Sequence, residues 1–201
     1  KGMSRTAVEL VGAAEALWSS GSSRWIVFTG GEPYLQMDYE LVSLFKSNGW
    51  FIAVETNGTV KPKLSEVYSD LLLDWVCVSP KLIISETGTL EYPELAVTKG
   101  DELKVVIPGA EPGFVGWTTG KLEHLASNTK FDKKYLQPQD VIDSRSTEVT
   151  YLKANLPTMS AGREGAARQY TSNVNSCLEL QRGLSDQWHI SFQGHKLLGV
   201  R

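Results

Sequence analysis

The sequence has few cysteines, no long apolar run and no large excess of charge of either sign. Its two cysteines, Cys77 and Cys177, stand far apart in unlike contexts. They match no disulfide framework and no metal-ligand spacing, so a reducing cytoplasm is the expected compartment. No apolar run reaches the ~18 residues of a membrane helix, and no membrane association is expected. Residues 1–20 lack the apolar centre of a signal peptide. A net charge of −3 leaves no basic footprint for direct nucleic-acid binding. There is no GK[ST] after a glycine loop, no HExxH and no Ser-His-Asp arrangement, which sets aside phosphate loops, zincins and triad hydrolases.

What is present is an ordinary globular composition, 41% hydrophobic and 21% charged, in a chain of 201 residues. That is enough for one sizeable domain over 1–201. Lys1-Gly2 is not a natural initiation, so sequence upstream is expected. The chain alternates between two periodicities. Thr6-x-x-Glu9 is a capping box, and Ala7, Leu10, Val11, Ala14, Leu17 and Trp18 follow it at helical spacing. Trp25–Thr29, Trp50–Glu55, Trp75–Val78 and Glu102–Ile107 are short, nearly continuous apolar runs, as expected of strands buried on both faces. Shorter strands are expected at Tyr135–Gln137 and Trp188–Gln193. Helices are expected after Asp38, over 63–73, over 114–127 and from about Val174 to Arg182. Residues 82–100 read as an excursion, and residues 140–173 as an insertion.

Strands alternating with helices imply an α/β fold with a parallel sheet. Each strand ends in polar residues: Thr29 and Glu32, Glu55 and Asn57, Ser79 and Lys81, Gln137, Gln193 and His195. Parallel α/β folds bind ligands at that edge. Turns favour several of the same residue types, but five strands ending this way favour a site. In VFTGGEPYLQ, Val27 to Gln36, two glycines let a ligand approach the main chain, Glu32 can accept from an ammonium group, and Pro33 fixes the exit. Lys81 is a point charge for a carboxylate or simply a solvated lysine. Glu102 and Lys104 alternate with Leu103 and Val105. They face either a barrel interior or helices, and an interior position requires that they be paired. The six tryptophans mostly open strands or close helices and read as core. His195 follows the last strand, where a lone histidine is more often structural than catalytic.

The tips taken together carry more. TGGEP (Thr29–Pro33), ETNGT (Glu55–Thr59), VSPK (Val78–Lys81), KGDELKVVIP (Lys99–Pro108), LQP (Leu136–Pro138) and WHISFQGHKLLG (Trp188–Gly199) occur in this order. In these motifs the chain resembles the radical S-adenosylmethionine (SAM) enzymes, and within them the 7-carboxy-7-deazaguanine synthases. The resemblance implies a partial parallel (β/α) barrel, here lacking its first strand. It implies a lyase that contracts the ring of 6-carboxy-5,6,7,8-tetrahydropterin with loss of ammonia, for queuosine in tRNA. SAM, a [4Fe–4S] cluster and Mg2+ are the implied cofactors. A flavodoxin- or ferredoxin-type electron donor and a second copy in a homodimer are the implied partners. By position, Gly30, Gly31, Glu32, Ser79, Pro80, Lys81, Gln137, Pro138, Gln139 and Asp140 would bind SAM. Thr29, His195 and Arg201 would meet the pterin. The family's three cluster cysteines, at CxxxCxxC or a longer variant, have no counterpart in this chain and are expected upstream of Lys1; without them this chain alone should be inactive. The alternatives are another radical SAM activating enzyme and a cluster-free relative that binds a small ligand.

Overall fold

The computed structural model describes residues 5–19, 21, 23–64, 72–85, 89–108, 116–139 and 163–192, with side chains in the last segment from residue 170. The elements run α1 (Ala7–Leu17), β1 (Arg24–Phe28), α2 (Tyr39–Ser47), β2 (Trp50–Thr56), β3 (Trp75–Val78), β4 (Ile83–Ile84), β5 (Leu90–Glu91), β6 (Lys99–Ile107), α3 (Thr119–Ser127), β7 (Lys130–Pro138), α4 (Arg163–Arg182) and β8 (Trp188–Ile190). Six strands form one sheet in the order β1-β2-β3-β6-β7-β8, and β4 pairs with β5. The pairings β1–β2, β2–β3, β3–β6 and β7–β8 are all parallel, as expected of an α/β fold. No described helix is long and apolar enough to cross a membrane.

The chain divides into two compact units, and β6 and β7 contribute to both. One comprises Lys1–Ile83, Tyr92–Lys104 and Asn128–Lys133; the other Ile84–Glu91, Val105–Ser127 and Lys134–Arg201. In the first unit, Thr6 and Glu9 cap α1 reciprocally, and Asp38 caps α2 by accepting from the Leu41 N–H. Phe45 of α2 is buried and meets Phe28 and Trp50 edge-on, at ring separations of 5.5 and 5.8 Å. The foot of β3 is held by Asp74. Its carboxylate takes both the Lys46 ammonium (2.8 Å) and the Ile52 N–H (2.7 Å), while its own N–H donates to the Ile52 carbonyl.

The expectation that Trp25–Thr29 is covered on both faces fails on one of them. Trp25 is 44% exposed and Val27 49%, and Phe51, stacked on Trp25, is 42% exposed. β1 is a sheet edge, and α2 packs on the Phe28 and Trp50 side. An apolar run identifies a strand without saying which faces are covered. The stripe of α1 is likewise only partly used: Val11 is buried, whereas Leu17 is exposed.

In the second unit, β8 pairs with β7 from Lys134↔Trp188 to Leu136↔Ile190. Trp188, Leu122, Leu125, Leu136 and Cys177 are all buried. The Lys121 ammonium donates to the Leu90 and Gly116 carbonyls at 2.6 and 3.3 Å. Three boundaries differ from the sequence reading. β7 begins at Lys130 rather than Tyr135, because Phe131 and Lys134 are buried in a stretch whose charges mask the alternation. α3 is shorter than 114–127 at its start. α4 begins at Arg163, within the span read as an insertion, because polar residues there hide the helical period. The helix expected at 63–73 lies mostly outside the described residues.

Replacing Phe45 with Ala should cost about 3–5 kcal/mol, the range for an emptied aromatic core site. Urea unfolding should show this as a lower midpoint with an unchanged slope, and a loss under ~1 kcal/mol would remove Phe45 from the core.

Candidate functional site at the strand tips

The site is built from the first unit, at the C-terminal ends of β1, β2 and β3. β1 ends in Thr29, and the chain then turns through Gly30 (φ +82°) and Gly31 (φ +54°). Both conformations are left-handed and favour glycine. No heavy atom lies within 4 Å of where a Cβ would stand on either residue, so the main chain borders open space. Glu32 follows, and Pro33 opens a single 3₁₀ turn, Pro33–Leu35.

Glu32 is buried, at 9% exposure. Its Oε1 accepts from the Thr56 hydroxyl at 2.7 Å and from the Tyr34 N–H at 3.2 Å. Its Oε2 accepts from the Asn57 N–H at 3.0 Å. The carboxylate therefore caps the 3₁₀ turn and latches the tip of β1 to the tip of β2. All three donors are neutral. A carboxylate has about four lone-pair positions, so one more donor can be accepted, and the negative charge has no cation among these contacts. An ammonium group satisfies both conditions. Burial, with Glu32 nearby, pushes the Tyr34 hydroxyl well above the usual tyrosine range.

The tip of β2 is preformed. Asn57 Oδ1 accepts from both the N–H and hydroxyl of Thr59. Gly58 has φ +80°, and a Cβ there would stand 2.7 Å from Val78 Cγ1, so both conformation and packing require glycine. The Ser79 N–H donates to the Thr56 carbonyl at 2.8 Å, which sets the tip of β3 beside that of β2. Ser79 is half-buried and Pro80 buried. Lys81 is exposed, with its ammonium 3.4 Å from the Ser79 hydroxyl.

A second charged group lies on the same strands. The parallel register aligns Glu55 with Cys77, and Cys77 with Glu102. Lys104 joins them: its Nζ donates to Glu55 Oε1 at 3.1 Å and lies 4.0 Å from Glu102 Oε1. Glu102 and Lys104 are thus paired, the condition set for an interior position. Burial works against the Lys104 ammonium, but Cys77, Glu55 and Glu102 outweigh it and raise its pKa above the ordinary lysine value. Burial, opposed by Lys104 and reinforced by Glu102 and Glu55, pushes the Cys77 thiol up to about 12. The Thr29 hydroxyl meets Glu55 Oε2 at 3.3 Å. The sequence signal for this group was the pair of charges set into the apolar run of β6; what it did not contain was the partner, Glu55, 49 residues away.

The remaining candidates fall elsewhere. Gln137 and Pro138 end β7 in the second unit. The Gln139 N–H donates to the Ile107 carbonyl, and its own carbonyl accepts from the buried amide of Asn173 at 2.6 Å. Asn173 was not anticipated, since it lies in the span read as an insertion. Asp140, His195 and Arg201 lie outside the described residues.

The chain's own residues do not fit an iron–sulfur cluster. It has two cysteines, one in each unit. Both are buried thiols, and burial raises Cys177 to about 12 as well. Thiolates are what such clusters need. Among the described residues no three His, Cys, Asp or Glu side chains gather as a metal site.

No protein-family model matches the chain. It is similar to the 7-carboxy-7-deazaguanine synthase of Bordetella pertussis, at 32% identity over 96% of this chain and 68% of that protein. It is 34% identical to the Bradyrhizobium diazoefficiens protein of the same name, over 98% of this chain and 69% of the relative. Its fold is similar to the crystal structure of QueE from Escherichia coli, with a TM-score of 0.52 and 22% identity over 94% of this chain. The chain spans 64% of that solved chain. A parallel α/β fold with a candidate ligand corner at its strand tips is the class that these features define. The chain belongs to the 7-carboxy-7-deazaguanine synthase family.

Both cysteines should resist alkylation at neutral pH in the folded protein and react on unfolding. Their raised thiol pKa values also fix a sign. The folded state holds these protons more tightly, so their contribution to stability is complete below about pH 9 and is lost as pH rises toward 12. The thermal midpoint should therefore fall across that range, less steeply in Cys77→Ala, and equal slopes in the two proteins would refute the assignment.

Proposed function

We propose that this chain provides SAM and substrate contacts for the reaction of its family, the conversion of 6-carboxy-5,6,7,8-tetrahydropterin to 7-carboxy-7-deazaguanine with release of ammonia, on the path to queuosine. The observation that carries this reading is Glu32: a buried carboxylate satisfied only by neutral donors, beside an open left-handed glycine turn. That corner suits the α-ammonium of an amino-acid-like ligand, and SAM has one. When bound, SAM would supply the radical chemistry of the family.

The chain's residues then have defined tasks. Gly30 and Gly31 keep the main chain open to the methionyl end. Glu32 accepts one N–H of the ammonium. Ser79 and Lys81 hold SAM at the tip of β3, and Lys81 offers a cation to its carboxylate. Gln137 to Asp140 are assigned to SAM, and Thr29, His195 and Arg201 to the pterin, by their place in the motifs. The residues of this chain do not hold the cluster. Mg2+, a flavodoxin- or ferredoxin-type reductant and a homodimer complete the proposal. One competitor is a relative that binds SAM without radical chemistry. Iron and sulfide analysis of the anaerobically purified natural protein separates the two.

Glu32→Gln should weaken SAM binding by roughly 1.5–3 kcal/mol, the value of a hydrogen bond to a charged group. It should also lower the thermal midpoint, because the new NH2 group must face at least one of the three donors. Calorimetry showing unchanged SAM affinity would take Glu32 out of the site.

A further inference from the structure

The charged group around Lys104 has no task in the SAM corner, and its geometry points toward one. Lys104 is a largely covered ammonium, with its side chain 18% exposed, between a covered carboxylate, Glu102 (16%), and an open one, Glu55 (46%). Its hydrogen bond goes to the open partner. The pairing fixes the Glu55 carboxylate in place and occupies one of its oxygens. The other oxygen lies 3.3 Å from the Thr29 hydroxyl. An ionised carboxylate only accepts, so the proton between them comes from Thr29. A hydroxyl has one proton to give. Once it is turned toward Glu55, Thr29 has only lone pairs left for anything bound at the strand tip.

We propose that Lys104 is a positioning residue: by pinning Glu55 it turns the Thr29 proton inward, so that Thr29 selects a ligand group that donates a hydrogen bond. This rests on the reading that the pterin occupies the tip of β1, and it says which part of the pterin lies there. The ring N–H groups of the tetrahydro form are donors and suit Thr29; the pterin carboxylate and ring carbonyl, which only accept, do not. Without Lys104, the half-open Glu55 carboxylate is no longer pinned and can swing away from Thr29. The hydroxyl would then be free to point either way.

The test compares two probes, 6-carboxy-5,6,7,8-tetrahydropterin and oxidised 6-carboxypterin. Both have the carboxylate, but the oxidised ring lacks the N–H donors at its reduced positions. Anaerobic calorimetry on the natural full-length protein with SAM present gives the affinity for each. The wild type should favour the tetrahydro form by about tenfold, near the value of one good hydrogen bond. Lys104→Met should bring the preference down toward unity, and so should Thr29→Val, while Thr29→Ser should keep it. Combining Lys104→Met with Thr29→Val should cost no more than either alone. A merely structural lysine would lower affinity for both probes equally and leave their ratio unchanged, and that result would overturn the proposal. If Lys104→Met fails to fold, the exposed position 29 still decides: an unchanged ratio in Thr29→Val overturns it. A wild type that binds SAM but neither pterin would remove the substrate reading and this inference together.

Discussion

The tips of β1 and β2 depend on one buried carboxylate. Glu32 accepts from a hydroxyl and two main-chain N–H groups that come from two different strand ends. These contacts convert two flexible turns into one corner. The ordering has an electrostatic consequence, because a buried negative charge held only by neutral dipoles remains unneutralised. A ligand cation would complete what the fold leaves open. The glycines before Glu32 have the complementary task of leaving room, which the positive φ angles and the clear space around them permit.

The two carboxylates at these tips are handled in opposite ways. Glu32 is covered and has no cation. Glu55 is half-open and has one, Lys104. The first should attract positive charge, whereas the second has its charge already met and keeps only its capacity to accept and orient. Both arrangements follow from the parallel register, which sets Glu55, Cys77 and Glu102 in one row across three strands. A shift of one residue in any pairing would send one of them to the other face of the sheet.

Much of this was legible in the sequence for physical reasons. The alternation of short apolar runs with capped helices disclosed the parallel α/β class, and Gly, Pro and Asn marked where strands end. The motif order at those ends pointed to the family. Coverage of faces was not legible: Trp25, Val27 and Phe51 look like core residues and are half exposed, since apolarity says nothing of what lies opposite. Strand β7 was under-read because lysines interrupt its pattern, and α4 because its first turns are polar. The partners of Glu32 and Lys104 escaped because hydrogen bonds across 24 to 49 residues leave no local trace. Glu32 itself was read as a ligand group only. Its structural task, latching two strand tips, appears once Thr56 and Asn57 are seen against it.

Asp74 gives the first unit a mechanical polarity. It fastens Lys46 and both main-chain polar groups of Ile52 near the foot of β3, with a network that involves none of the candidate ligand groups. The anchored end and the working end of these strands are therefore different places. Thermal agitation near the ligand corner can be absorbed by the glycine turns without loosening the anchor. A change among the exposed ligand candidates at the tips, Thr29 or Lys81, therefore leaves the fastening at the foot intact.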